Sequence, residues 1–236
     1  MTSVADPAAS TRGIVLVHDS MLVSRARYDG ADVELCTAQE LAARVRDARK
    51  DGRPFVGIVG DDHDLHVAAE ELAHSDTALA PNPLLDGAPA PTTRTVDIGR
   101  VNGHCFLRHA RIGSLPANVR ELTAGPRLAL RIDGRPARAW SVFVGNGCFG
   151  PGIDERSVRE STDEHLLDVR IVRGDGRRAR LRPTLHDLVR RTCITITIDV
   201  PGRNSVEVSL DGERLQLATP LRCECDADAL RLLSTR

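Results

Sequence analysis

Phe55-Val-Gly-Ile-Val-Gly-Asp-Asp-His-Asp-Leu-His66 is the stretch on which the fold turns. Its first five residues are a short apolar run, the pattern of a strand buried on both faces. Gly60 ends that run, and from Leu65 the apolar residues Leu65, Ala68, Ala69 and Leu72 recur at helical spacing. A buried strand that passes through an acidic loop into a helix is half of a βαβ unit. Upstream, Gly13-Ile-Val-Leu-Val17 and Asp32-Val-Glu-Leu-Cys36 are two further strands of this kind. Between Cys36 and Phe55, Thr37-Ala-Gln-Glu40 has the form of a capping box, Leu41, Val45 and Ala48 continue the helix, and Gly52 stops it. Residues 77–81 supply a fourth short strand. The crossover over 18–31 lacks a helical period. Together these elements predict a small parallel α/β sheet with right-handed crossovers.

Residues 81–93, PNPLLDGAPAPTT, are proline-rich and aperiodic, which is linker composition. Beyond them the pattern changes to short alternating strands joined by turn pairs. Asn102-Gly103, Asp133-Gly134 and Asp211-Gly212 each separate two such runs, and these dipeptides favour two-residue hairpin turns. Leu167 to Val172 leads to Gly174-Asp-Gly176, and Cys193 to Val200 alternates apolar residues with threonine and aspartate. One helix is expected over 184–191. The resulting fold class is α/β plus β: a short parallel-sheet α/β domain followed by an antiparallel β-sandwich. The expected boundaries are a frayed tail over 1–12, the α/β domain over 13–81, the linker over 82–94 and the sandwich over 95–236.

Composition excludes several roles. The chain has 236 residues, 41% of them hydrophobic, and a formal net charge of -1. Such a balance provides no bulk electrostatic attraction to nucleic acid or to an anionic membrane. Aromatic residues are only 3%, too few for stacking platforms on single strands. No apolar run is long enough to span a bilayer, and residues 1–10 lack the layout of a secretory signal, so a cytoplasmic location is expected. The six cysteines are scattered, and Cys223-x-Cys225 fits alternate positions of one strand better than a zinc site.

Several stretches carry chemistry-bearing residues. Gly60-Asp61-Asp62-His63-Asp64 lies where a strand meets a helix, the place where open α/β sheets bind ligands and where helix N-termini attract anions. The same aspartates also suit simple helix capping. His63 and His66 beside these carboxylates read either as a metal site or as a solvated surface. Gly145-Asn146-Gly-Cys-Phe-Gly-Pro-Gly152 is a glycine-rich loop without dinucleotide-fingerprint order. Asp163-Glu164 precedes a strand, where a carboxylate suits a general base or a solvated turn. Asp211-Gly-Glu213 reads as a hairpin turn. Arg177, Arg178, Arg180 and Arg182 form a modest basic stretch, read as a solvated edge.

In their order along the chain these stretches resemble the catalytic domain of bacterial diacylglycerol-kinase-like and sphingosine-kinase-like lipid kinases. The family phosphate loop G-G-D-G-T corresponds to Gly60-Asp-Asp-His-Asp64. The family pattern V-D-x-G-x-V-N-G corresponds to Val96-Asp-Ile-Gly-Arg-Val-Asn-Gly103, with Phe106 soon after. V-x-V-G-N corresponds to Val142-Phe-Val-Gly-Asn146, D-D-G-L-L-D-V to Asp163-Glu-His-Leu-Leu-Asp-Val169, and D-G-E to Asp211-Gly-Glu213. The resemblance implies ATP and Mg²⁺ as cofactors and a lipid with a free hydroxyl, of the diacylglycerol or sphingoid kind, as substrate. It also implies peripheral contact with a membrane. By motif position Glu164 is the proton acceptor and Asp62 lies near Mg²⁺ or nucleotide. Gly60, Asp61, Asp62, His63 and Asp64 form the phosphate loop, and Asn146 and Glu213 lie on the nucleotide side. The family's loop glycines are here Asp61 and His63, its loop threonine is Asp64, and the glycine of D-D-G is His165. The second family loop, G-T-x-N-D with its helix, has no counterpart after Pro81, and His18-Asp19-Ser20 stands where N-P-x-x-G is expected. A catalytically silent relative, keeping the sandwich as a lipid- or partner-binding module, is the alternative that these departures favour.

Overall fold

Strand β1 (Gly13–His18) is buried along nearly its whole length, as an apolar run in the middle of a parallel sheet must be. In the computed structural model, which describes residues 12–18, 31–81, 92–115, 128–150, 159–161, 164–173 and 188–234, two compact units are present. Unit 1 comprises residues 1–96 and 228–236, and unit 2 comprises residues 97–227.

In unit 1, β1 pairs in parallel with β2 (Ala31–Cys36) on one side and β3 (Phe55–Val59) on the other. β3 pairs in parallel with β4 (Ala78–Ala80), and Leu232, near the end of the chain's last strand, pairs in parallel with Leu79. Helix α1 (Ala38–Lys50) buries Leu41, Val45 and Ala48, the three residues at the spacing read from the sequence. At its start the Glu40 carboxylate accepts from the Thr37 N–H at 3.1 Å and from the Thr37 hydroxyl at 3.0 Å. Helix α2 (Asp62–Leu72) is clasped to α1 by Arg46, which is ion-paired with Glu71, and by Arg49, which donates to the Glu71 carbonyl at 2.8 Å.

Unit 2 is antiparallel. Its strands are the latter part of β5 (Thr92–Val101), then β6 (His104–Phe106), β7 (His109–Gly113), β8 (Leu128–Ile132), β9 (Arg135–Asn146) and β10 (Leu167–Arg173). They continue with β11 (Leu188–Cys193), β12 (Thr195–Asp199), β13 (Ser205–Leu210), β14 (Glu213–Ala218) and the first part of β15 (Leu221–Ser234). The spatial order is β14-β13-β7-β9-β8-β12-β15, and β10 joins β9 to β11. Inward residues from these strands, among them Leu130, Val142, Val144, Ile196, Ile198 and Val208, form one core, as a sandwich requires. The three turn pairs behave as their residues dictate: Asn102 and Gly103, Asp133 and Gly134, and Asp211 and Gly212 all have positive φ.

The structure departs from the sequence reading at residues 188–191. These were expected in a helix and instead open β11, which pairs with β10 in the register Leu167↔Cys193. Val189 and Thr192 are β-branched, and pairing with a neighbouring strand outweighs a weak helical period. Residues 228–236, grouped by pattern with the sandwich, count with unit 1. Residues 1–11 of the expected tail, the 19–30 crossover, linker residues 82–91, Asp163, Gly152 and the basic stretch 177–182 lie outside the described residues. Among the described residues no helix is long and apolar enough to cross a membrane.

Candidate functional site

The acidic loop of unit 1 closes on itself. Asp61 is the N-cap of α2, and its carboxylate accepts from the Asp64 N–H at 3.0 Å, while Asp64 Oδ2 accepts from the Asp61 N–H at 3.1 Å. This reciprocal arrangement satisfies two of the amides that a helix start otherwise offers to an anion. Asp64 is 2% exposed, and its Oδ2 lies 3.2 Å from His18 Nδ1. Gly60 is required here for a steric reason, since a Cβ on it would collide with the Asp64 carboxylate. Asp62 and His63 are exposed on the first turn of α2. His66 is buried, unlike the solvated position expected for it, because it joins Ala69 on the packed side of the helix.

A negatively charged group therefore already lies on the amides that a phosphate would use. Phosphate brought beside Asp61 and Asp64 meets repulsion of about 1 kcal/mol per close pair even at the dielectric constant of water. In this conformation the Asp61 and Asp64 amides already have carboxylate partners. Asp62, the residue nearest in motif to a metal role, is the one carboxylate of the three outside the capping pair.

Unit 2 gathers the other motif stretches into one network. Asp97 on β5 is 1% exposed. Its Oδ2 accepts the His165 backbone N–H at 2.7 Å and its Oδ1 lies 3.0 Å from His165 Nδ1. Asn146, fully buried at the end of β9, donates from Nδ2 to the Asp97 carbonyl at 2.7 Å and to the Leu107 carbonyl at 3.2 Å. Its Oδ1 is buried with no hydrogen-bond partner among the described residues, so a donor is still wanted there. The Asp211 carboxylate accepts the N–H groups of Leu107, Arg108 and His109 at 2.5–3.0 Å, and so ties the turn before β14 to the segment that Asn146 contacts. Glu213 opens β14 opposite Leu210 and is partly buried. His165 has φ 56, the left-handed backbone that explains why the family pattern has glycine at this point. Glu164, beside it, is exposed and accepts a hydrogen bond from the Cys148 thiol.

The thiols report the electrostatics of this region. The Glu164 carboxylate and partial burial push the Cys148 thiol up to about 11. Burial, followed by the Asp97 carboxylate, pushes the Cys225 thiol up to about 12. All six cysteines are free, as the scattered spacing implied.

A buried ionic cluster among the described residues was not singled out in the sequence. Asp168 is fully buried in β10, with Arg170 Nη2 at 2.7 Å, Arg190 Nη2 at 2.9 Å and the Phe149 N–H at 3.2 Å. Arg170, itself 1% exposed, also donates to the carbonyls of Phe149 and Gly150 at 2.7 and 2.8 Å and lies over the Phe143 ring. Its sequence signal was the repeated charge in Leu167-Asp-Val-Arg170, where alternate positions put Asp168 and Arg170 on one face of β10.

The fold is that of the diacylglycerol-kinase-like proteins. Three structures from Bacillus anthracis strain Sterne, described as a putative diacylglycerol kinase, a diacylglycerol kinase and a putative diacylglycerol kinase, superpose with TM-scores of 0.70, 0.66 and 0.68, at 17%, 17% and 18% identity. Each match covers 94% of this chain and 96% of the other. At this identity the likeness is one of fold. No family model matches the sequence, and no curated protein matches it.

Proposed function

We propose that this protein is a diacylglycerol-kinase-like lipid kinase relative in which phosphoryl transfer from Mg·ATP is weak or absent. In this reading unit 2 receives a lipid with a free hydroxyl, and Glu164 is the carboxylate positioned to accept the hydroxyl proton. The observation that carries the reading is the run of hydrogen bonds from Asp211 through the 107–109 segment and Asn146 to Asp97 and His165, next to Glu164, in the fold of a protein described as a putative diacylglycerol kinase. The weakness is attributed to the loop, where Asp61 and Asp64 take each other's amides. Catalysis of this class rests on positioning and on amide or cationic donors around the phosphates, and here those donors are spent.

A second reading is an active ATP-dependent kinase, in which Mg²⁺ near Asp62 offsets the loop charge and Asn146 and Glu213 support the nucleotide. It is favoured by the buried acceptor at Asn146 Oδ1, which lacks a donor among the described residues. Calorimetry with Mg·ATP on the wild type and on a loop variant (Asp61→Gly, His63→Gly, Asp64→Thr) separates the two. We expect no binding heat from the wild type and measurable binding by the variant. Wild-type affinity of about millimolar or better, an ordinary value for a nucleotide enzyme, would overturn the proposal in favour of the active kinase. Flotation with diacylglycerol-containing vesicles tests the lipid half, and failure to associate would remove the lipid from the proposal.

A further inference from the structure

Cys148 is held from both sides. The Gly147 N–H donates to the Leu166 carbonyl at 2.9 Å, and the Cys148 carbonyl accepts from Glu160 at 2.8 Å and from Ser161 at 3.3 Å. The next residue, Phe149, is fully buried, with its N–H on Asp168 Oδ2. The backbone at Cys148 is therefore fixed, which leaves the sulfur only the staggered positions about χ1. Glu164 has the opposite character. It is an exposed side chain on a bend, and the residue after it is anchored through the His165–Asp97 bonds. An exposed glutamate is free to sample many rotamers, and ordering it has an entropic cost. The Cys148 thiol donates to this carboxylate and restricts it.

We propose that Cys148 is a positioning residue for Glu164: its protonated thiol donates a hydrogen bond that holds the carboxylate in one orientation next to the His165–Asp97 pair. The inference deepens the proposed function and rests on its assignment of Glu164 as proton acceptor. Charge around the pair favours a proton on sulfur. Glu164 and Asp168 are negative and oppose a thiolate, Arg190 opposes them only in part, and Glu160 adds a negative group near Arg190. The sulfur therefore keeps its proton near neutral pH. Alkylation or oxidation of the sulfur removes the donor and releases the carboxylate.

The pairing is tested by the pH dependence of Cys148 alkylation with iodoacetamide, followed by peptide-resolved mass spectrometry on the full chain. The wild-type midpoint is expected near 11, and Glu164→Gln should move it down toward the ordinary thiol value of 9.0. An unchanged profile in Glu164→Gln would overturn the pairing. Positioning is tested by side-chain ¹³C relaxation of Glu164. The side chain should be ordered in the wild type, mobile in Cys148→Ala and ordered again in Cys148→Ser, whose hydroxyl restores a donor. Equal mobility in all three proteins sinks the positioning role. Turnover of diacylglycerol vesicles with Mg·ATP, in the wild type or the loop variant, should fall about tenfold in kcat for Cys148→Ala with KM for lipid unchanged, the size of one charge-assisted hydrogen bond, and recover in Cys148→Ser. Absence of turnover in every protein, the loop variant included, counts against Glu164 as a working proton acceptor, whereas the alkylation and relaxation results decide the pairing without it.

Discussion

Single carboxylates in this protein divide into those used to bind the protein to itself and those left at its surface. Asp168 belongs to the first kind. It neutralises the buried Arg170 and engages Arg190 and a backbone amide. Removing one partner of a buried pair leaves the other charge uncompensated, which costs more than the pair itself contributes. Asp168→Ala should therefore destabilise the protein by about 3–5 kcal/mol in urea denaturation. The double variant Asp168→Leu/Arg170→Met should recover much of that loss, and a double variant as unstable as the single one would show that the network is needed as a whole. Asp211 is of the same kind, and with three amides on its carboxylate, Asp211→Ala should cost about 2–3 kcal/mol, since hydrogen bonds to a charged acceptor are among the stronger ones.

At the scale of elements, local chemistry and packing meet most clearly in β5 and α2. Gly99 on β5 faces Phe106 on β6, and a Cβ on Gly99 would fall within the Phe106 ring, which is fully buried. Gly99→Ala should therefore cost about 1–3 kcal/mol through overpacking, read as a lower urea midpoint with unchanged slope. No loss would mean that the ring has room to turn. For α2 the start of the helix was legible as a capping pattern, with Asp61 and Asp64 three residues apart. The burial of Asp64 and its contact with His18 were not legible, because His18 lies far away in sequence. The same limit explains β11. Leu188-Val-Arg-Arg-Thr-Cys193 carries a period compatible with either state, and the choice depends on β10 as a pairing partner and on Asp168 as a partner for Arg190.

Across the whole molecule the buried thiols predict an alkaline limit to stability. Burial pushes the Cys223 thiol up to about 12, and Cys225 is pushed to about 12 and Cys148 to about 11 by burial and neighbouring carboxylates. In the unfolded chain these groups ionise near 9.0. Between the two values the folded state binds more protons than the unfolded one, so stability falls as pH rises. The contribution is complete below about pH 9 and is lost as pH passes through about 11–12. Urea midpoints should accordingly decline above about pH 9, and Cys223→Ala, although less stable at neutral pH, should show a shallower decline. A midpoint that stays flat over the window would mean that the thiols remain protonated in both states or ionise without penalty.

What the sequence by itself determined are the features that depend on neighbours along the chain. The apolar runs of β1 and β3, the capping pattern of each helix and the turn pairs at Asn102-Gly103, Asp133-Gly134 and Asp211-Gly212 follow from backbone preferences and short-range hydrogen bonds. These sufficed for an α/β unit followed by an antiparallel one, and for recognising an acidic loop where a glycine-rich one is usual. Only the tertiary structure decided which carboxylates are spent. Asp64 turned inward toward His18, Asp97 gathered His165 and the Asn146 segment, Asp168 took two arginines, and Glu164 remained outside with Cys148. The physical reason is that a charged side chain is stabilised by whatever group packing brings beside it. In each of these cases that group comes from another strand or loop, so no local pattern encodes it.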